Sequence, residues 1–163
     1  MGVIISGAWN YYIFARKLQM GRLIGIDYGQ KRTGLAVTDP GQRIAGVLGT
    51  VDSYGLYDYL EKYIANEPVE GFVIGFPRQM NFQPSESAPF VQAFAKGLIK
   101  KFPEIPVFWV DERFTSKMAV QSMIQGGASK ADRKNKGNID SVSAAILLES
   151  YLQQKMMERD RQL

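Results

Sequence analysis

Asp27 ends an apolar run, Arg22-Leu23-Ile24-Gly25-Ile26, and is followed at once by Tyr28-Gly29-Gln30-Lys31-Arg32-Thr33-Gly34. A carboxylate at the end of a buried strand projects at the rim of a sheet, and glycine beside it allows a ligand to approach the backbone closely. Lys31 and Arg32 add positive charge. A turn offering a carboxylate, backbone N–H groups and two cations suits a metal-bound phosphate, although the same residues also suit a hairpin turn with solvated charges. A second acidic point follows the run Pro106-Val107-Phe108-Trp109-Val110, where Asp111 and Glu112 stand at a strand's C-terminal end, the place where open α/β sheets bind ligands. Alternation puts these neighbours on opposite faces. Glu112 has the longer reach and is favoured as metal ligand, with Asp111 as the alternative; the bland reading is that Asp111 or Thr115 caps the next helix and Arg113 pairs with Glu112. Asp140 is the third point, a carboxylate at the start of a helix whose inward face reads Asp140, Ala144, Leu147 or Leu148, Tyr151. Such a group on an apolar face is costly unless paired or metal-bound, or else it sits in the first turn and answers the helix dipole. Carboxylates from three separate segments would repel at one locus unless a divalent cation neutralised them, so clustering and metal imply each other.

Composition narrows what else could carry chemistry. The 163 residues contain no Cys and no His, which removes disulfide scaffolds, zinc sites of thiolate or imidazole, Cys-His proteases and Ser-His-Asp triads. Oxygen ligands remain, the preference of Mg2+, which is usually held by one or two carboxylates together with substrate phosphate. A formal charge of +4 is compatible with polyanion binding without demanding it. The length suits one domain, with 45% hydrophobic and 22% charged residues as in ordinary globular chains.

The elements that must position these acids can be read along the chain. Residues 22–27, 33–39 and 43–52 read as three consecutive antiparallel strands separated by turn signals at Gly29 to Arg32 and at Asp39-Pro40-Gly41. Ser53 is placed to cap a helix running to Asn66, with Leu56, Tyr59, Leu60 and Tyr63 on its core face. Residues 71–77, nearly all apolar, suit a central strand covered on both faces. Residues 85–101 read as a helix with Phe90, Phe94, Leu98 and Ile99 in helical spacing, and residues 106–112 as another apolar strand, giving a right-handed β-α-β unit. A helix over 115–125 stops at Gly126-Gly127, a polar mobile loop runs through Gly137, and a last helix covers 138–160 with a fraying charged end. This order gives a mixed α/β sheet flanked by helices. Three regions are expected: one folded domain over 20–154, a charged tail over 155–163, and an apolar, aromatic segment over 1–19 that lies outside the fold. That segment is short for a membrane span and lacks the layout of a signal peptide; a docking or membrane-surface helix is the alternative.

From about Gly21 to Leu152 the chain resembles the bacterial YqgF proteins, known as pre-16S rRNA nucleases and also described as Holliday-junction-resolvase-like, within the ribonuclease H-like superfamily. The anchors are Asp27-Tyr28-Gly29-Gln30-Lys31-Arg32 with Gly34, Gly75-Phe76-Pro77, Asp111-Glu112-Arg113-Phe114-Thr115, and Lys136-Gly137 with Ile139-Asp140 and Ala144. The resemblance implies a five-stranded sheet of order 3-2-1-4-5 and a Mg2+- or Mn2+-dependent phosphodiesterase whose catalytic, metal-holding acids are Asp27, Glu112 and Asp140. It departs from the superfamily's resolvases in one respect: their second acid commonly ends the fourth strand, which here ends in Gly75-Phe76-Pro77, and the acid comes one strand later. In the reaction so implied, Lys31, Arg32 and Arg113 hold phosphate oxygens, while Arg133, Lys134 and Lys136, in the basic stretch before Asp140, clamp the nucleic-acid strand. The implied setting is cytoplasmic processing of the 5' end of the 16S rRNA precursor, with ribosomal particles as partners and no membrane. Rival readings are a Holliday junction resolvase, a non-catalytic nucleic-acid-binding module, and a kinase or ATPase with an actin-like Asp-x-Gly hairpin, for which the chain has no second comparable domain.

Overall fold

The computed structural model describes residues 20–77, 85–112 and 115–162. The segment 1–19 therefore lies outside the described residues, as do Arg113 and Phe114. Five strands form one sheet: β1 (Arg22–Asp27), β2 (Arg32–Thr38), β3 (Ala45–Asp52), β4 (Val69–Pro77) and β5 (Val107–Glu112), in the order β3-β2-β1-β4-β5. β1 pairs antiparallel with β2 and β2 with β3, whereas β1, β4 and β5 run parallel. This is the mixed sheet expected above, with the C-terminal ends of β1, β4 and β5 at one rim.

The helices are α1 (Leu56–Asn66), α2 (Ala88–Lys101), α3 (Thr115–Gln125), α4 (Lys130–Lys134) and α5 (Lys136–Arg161). Each face of the sheet carries its own core. Ile24, Ile26, Leu35, Phe72 and Ile74 pack on Leu56 and Leu60 of α1 and Val91, Phe94 and Leu98 of α2. On the other face Leu23, Ala36, Val73 and Val110 pack on Ala144, Leu147, Leu148 and Leu152 of α5. The parity of β1 follows: even positions face α1 and α2, odd positions face α5.

Several local expectations need correction. The inward face of α2 is Ala88, Val91, Phe94, Ala95 and Leu98, whereas Phe90 and Ile99 are half exposed. Both phases share Phe94 and Leu98, so spacing alone does not choose between them; the small residues let α2 lie close on the sheet. Ser53 does not cap α1. It begins a 3-10 turn, Ser53–Gly55, capped by the Asp52 carboxylate, which accepts from the Tyr54 N–H. The polar stretch expected to be a mobile loop contains α4, whose start is a reciprocal capping box between Ser129 and Asp132. Asn135 then caps α5 by accepting from the Gly137 and Asn138 N–H groups, so that helix begins at Lys136 and continues to Arg161. β5 is an edge strand, and its Trp109 is 43% exposed. Among the described residues no helix is long and apolar enough to cross a membrane.

Candidate active site

Asp27 is the last residue of β1, half-buried, and its odd position puts it on the face covered by α5. Its cross-strand partner is Gly34. A Cβ at Gly34 would land on the Asp140 carbonyl oxygen, so the missing side chain allows the α5 backbone to rest directly on β2. Gly25, two residues before Asp27, repeats the device: a Cβ there would meet the Ala144 carbonyl oxygen at 2.9 Å and the Leu148 Cβ at 2.9 Å. Two glycines on neighbouring strands thus set the height of α5 over the sheet and bring Asp140 to the end of β1. Asp140 stands in the second turn of α5, not the first, and the dipole reading weakens accordingly.

Arg32 opens β2 with the parity of Gly34, and its Nε donates to Asp140 Oδ2 at 2.8 Å. The Arg32 side chain is 44% exposed, so the pair contributes under about 1 kcal/mol to stability; its effect is to fix one carboxylate oxygen and hold a guanidinium against it. The turn between Asp27 and Arg32 is held from a third element. The Ser53 hydroxyl donates to the Gly29 carbonyl and shares a hydrogen bond with the Thr33 hydroxyl, while the Ser53 N–H donates to the Lys31 carbonyl at 3.0 Å. Ser53 is the residue that sequence reasoning missed here. A polar residue at a strand–helix junction reads as a cap, and nothing local announces a partner more than 20 residues earlier.

The turn and Asp140 border a cleft of about 510 Å3 whose wall includes Lys31, Arg32, Lys136 and Asp140 on its polar side and Tyr28 and Phe90 on its apolar side; Asp27 is not among its lining residues. Tyr28 is fixed by stacking on Phe94, ring centroids 4.5 Å apart and 9° from parallel. Of the six cations expected to touch substrate, Lys31, Arg32 and Lys136 line the cleft. Arg133 and Lys134 lie on α4, one helix earlier, and are not among its lining residues; Arg113 falls outside the described residues.

The adjacent acids of β5 separate by register. Val110 belongs to the α5-side core and pairs with Gly75, Asp111 pairs with Phe76, and Glu112 pairs with Pro77, with no bulge between them. Glu112 therefore holds a strand position of the Val110 parity, shared with the face of Asp27, and Asp111 holds the opposite one. Asp111 is exposed beside Gln92 of α2, away from α5. Two strand spacings separate β1 from β5, about 10 Å. Among the described residues no three acidic side chains enclose a metal position. The donor chemistry that the fold brings to this rim is nonetheless all oxygen: Asp27 and Asp140 on touching elements, with the Glu112 position across β4. That set fits a hard divalent cation and no soft one.

A family model described as "RuvX: Holliday junction resolvase" matches residues 21–154. A Porphyromonas gingivalis protein named "Putative pre-16S rRNA nuclease" is 52% identical over 133 residues, spanning 82% of this chain and 96% of its own length. A Flavobacterium johnsoniae protein of the same name is 53% identical over 136 residues, spanning 83% and 99%. Among solved structures, Thermus thermophilus RuvC in complex with Holliday junction substrate aligns with a TM-score of 0.48 and 20% identity over 82% of this chain and 96% of that one. The family match covers the whole sheet and α5 as far as residue 154, including Asp27 at the end of β1 and the Arg32–Asp140 pair, and the chain belongs to the RuvX family of resolvase-like nucleases, the YqgF proteins whose motifs it carries.

Proposed function

We propose that this chain hydrolyses phosphodiester bonds of the 16S rRNA precursor, near its 5' end, in the cytoplasm, using Mg2+ or Mn2+ held by Asp27, Glu112 and Asp140. The observation that supports the reading is the backbone contact of α5 at Asp140 on Gly34, the cross-strand partner of Asp27, beside a cleft lined by Asp140, Lys31, Arg32 and Lys136. When bound, the cation supplies an activated water and neutralises charge on the phosphoryl oxygens. The chain's residues do the rest. Lys31 and Lys136 bring positive charge to the phosphate from two elements that line the cleft, and Arg32 spends one N–H on Asp140 and keeps others for a phosphate oxygen. Ser53 holds the carbonyls of Gly29 and Lys31 and so fixes the turn that carries Lys31 and Arg32. Without histidine, proton transfer falls to carboxylates and solvent.

Asp27→Asn preserves shape and removes charge. Cleavage of precursor RNA should fall by orders of magnitude while the fold and most nucleic-acid affinity survive, and the rise in Tm that Mg2+ or Mn2+ gives the wild-type chain should shrink. Full cleavage by purified Asp27→Asn would sink the mechanism. The family model's description favours branched DNA as a second substrate class. Resolving a four-way junction takes two sites on a symmetric dimer, so parallel assays at one salt and metal concentration, with the mass in solution, separate the two.

A further inference from the structure

A second cleft, of about 400 Å3, opens on the α2 side of the same rim and is lined by Phe76, Gln92, Trp109, Val110 and Asp111. Phe76 meets the Trp109 indole edge-on, centroids 5.7 Å apart at 79°, which leaves the large ring supported yet 43% exposed. This cleft adjoins the first one: Val91 lines the first and Gln92 the second, so one turn of α2 is a wall of both. Along β5, Trp109 precedes Glu112 by three residues, about 10 Å, or the length of about three stacked nucleotides. Among the described residues no lysine or arginine lines the second cleft, and Asp111 would repel a phosphate there. An aromatic face bordered by a carboxylate and an amide suits instead a nucleobase, whose ring stacks and whose exocyclic amine donates to such acceptors.

Resting on the phosphodiesterase reading above, we propose that Trp109 is the stacking platform for an unpaired nucleobase of the substrate strand, so that the enzyme selects single-stranded nucleic acid beside the bond it cuts. A base inside a duplex has no free face to offer. The strand crosses the rim, its phosphates on Lys31, Arg32 and Lys136 and a base turned over the end of α2 onto the indole.

The chain has two tryptophans, Trp9 and Trp109, so Trp9→Phe makes indole emission a reporter of this site. In EDTA, where no cleavage occurs, a short single-stranded oligonucleotide should quench that emission and a blunt duplex of the same sequence should not. Trp109→Ala should weaken single-strand affinity on the order of tenfold, leave duplex affinity unchanged, and be largely rescued by Trp109→Phe. Equal single-strand affinity for wild type and Trp109→Ala overturns the proposal, as does quenching of equal size by duplex. Should Trp109→Ala fail to fold, unquenched emission from the folded Trp9→Phe protein overturns it alone. Cleavage by the wild-type chain is the separate readout of the nuclease reading: cleavage with an indifferent Trp109 discards only the stacking site, and absence of cleavage discards only the activity.

Discussion

At the scale of single residues, the adjacent acids of β5 give the sharpest contrast. Glu112→Gln should lower kcat by orders of magnitude as Asp27→Asn does, whereas Asp111→Asn, on the opposite parity, should be milder and act through KM rather than kcat; a steady-state assay of the two purified variants decides it. Asp39 makes a different kind of prediction. Its carboxylate accepts from the Ile44 N–H at 2.9 Å, the Arg43 N–H at 2.7 Å and the Gly41 N–H at 3.1 Å, and these bonds, Ile44 first, hold its pKa below the ordinary aspartate value. A group whose folded pKa is lowered stabilises the fold above its unfolded pKa and loses that contribution as pH falls through the folded one. The Tm difference between wild type and Asp39→Asn should accordingly be full near neutrality and shrink on acidification below the ordinary carboxylate range. A difference that stays constant there would refute the assignment. Asp27 stood out in the sequence because an acid closing an apolar strand is informative by itself, and Asp140 because it is a carboxylate on an otherwise apolar helix face. The pairing of Arg32 with Asp140 was not legible, since those residues are 108 apart and meet only through tertiary structure.

At the scale of elements, the strands were readable because each is an apolar run between turn signals, while the buried face of one helix and the presence of another were not, for identifiable reasons. In α2 two helical phases share residues and only close packing on the sheet selects one; in α4 a polar composition concealed the Ser129–Asp132 capping box. The joint that most directly links fold to chemistry is β2 against α5. Gly34→Ala would push a methyl group into the Asp140 carbonyl, a contact made of backbone that cannot swing aside. We expect destabilisation at the upper end of about 1–3 kcal/mol, read by denaturant melts, with a loss of cleavage beyond what the fraction unfolded explains. Retained activity and an unchanged midpoint would show that α5 can ride higher without moving Asp140 out of place.

Over the whole molecule, the charge of +4 is less informative than its placement: Lys31, Arg32 and Lys136 ring the cleft, and Arg133 and Lys134 extend the same sign one helix outward. Replacing Arg133 and Lys134 by alanine should weaken binding to all sequences alike and flatten the slope of log affinity against log salt by about 0.7 per lost phosphate contact on a single strand. An unchanged slope would confine the interface to the cleft itself. The contact between Gly34 and α5 has one further consequence. What Gly34 touches at position 140 is a carbonyl oxygen, an atom that every amino acid possesses, so this contact does not depend on the acid that stands there. A descendant of this chain could exchange the acid for another residue and keep its shape, its charge ring and its grip on a strand. Loss of cutting would then leave no scar in the architecture, and a silent relative would be told from a working one only by the letter at that position.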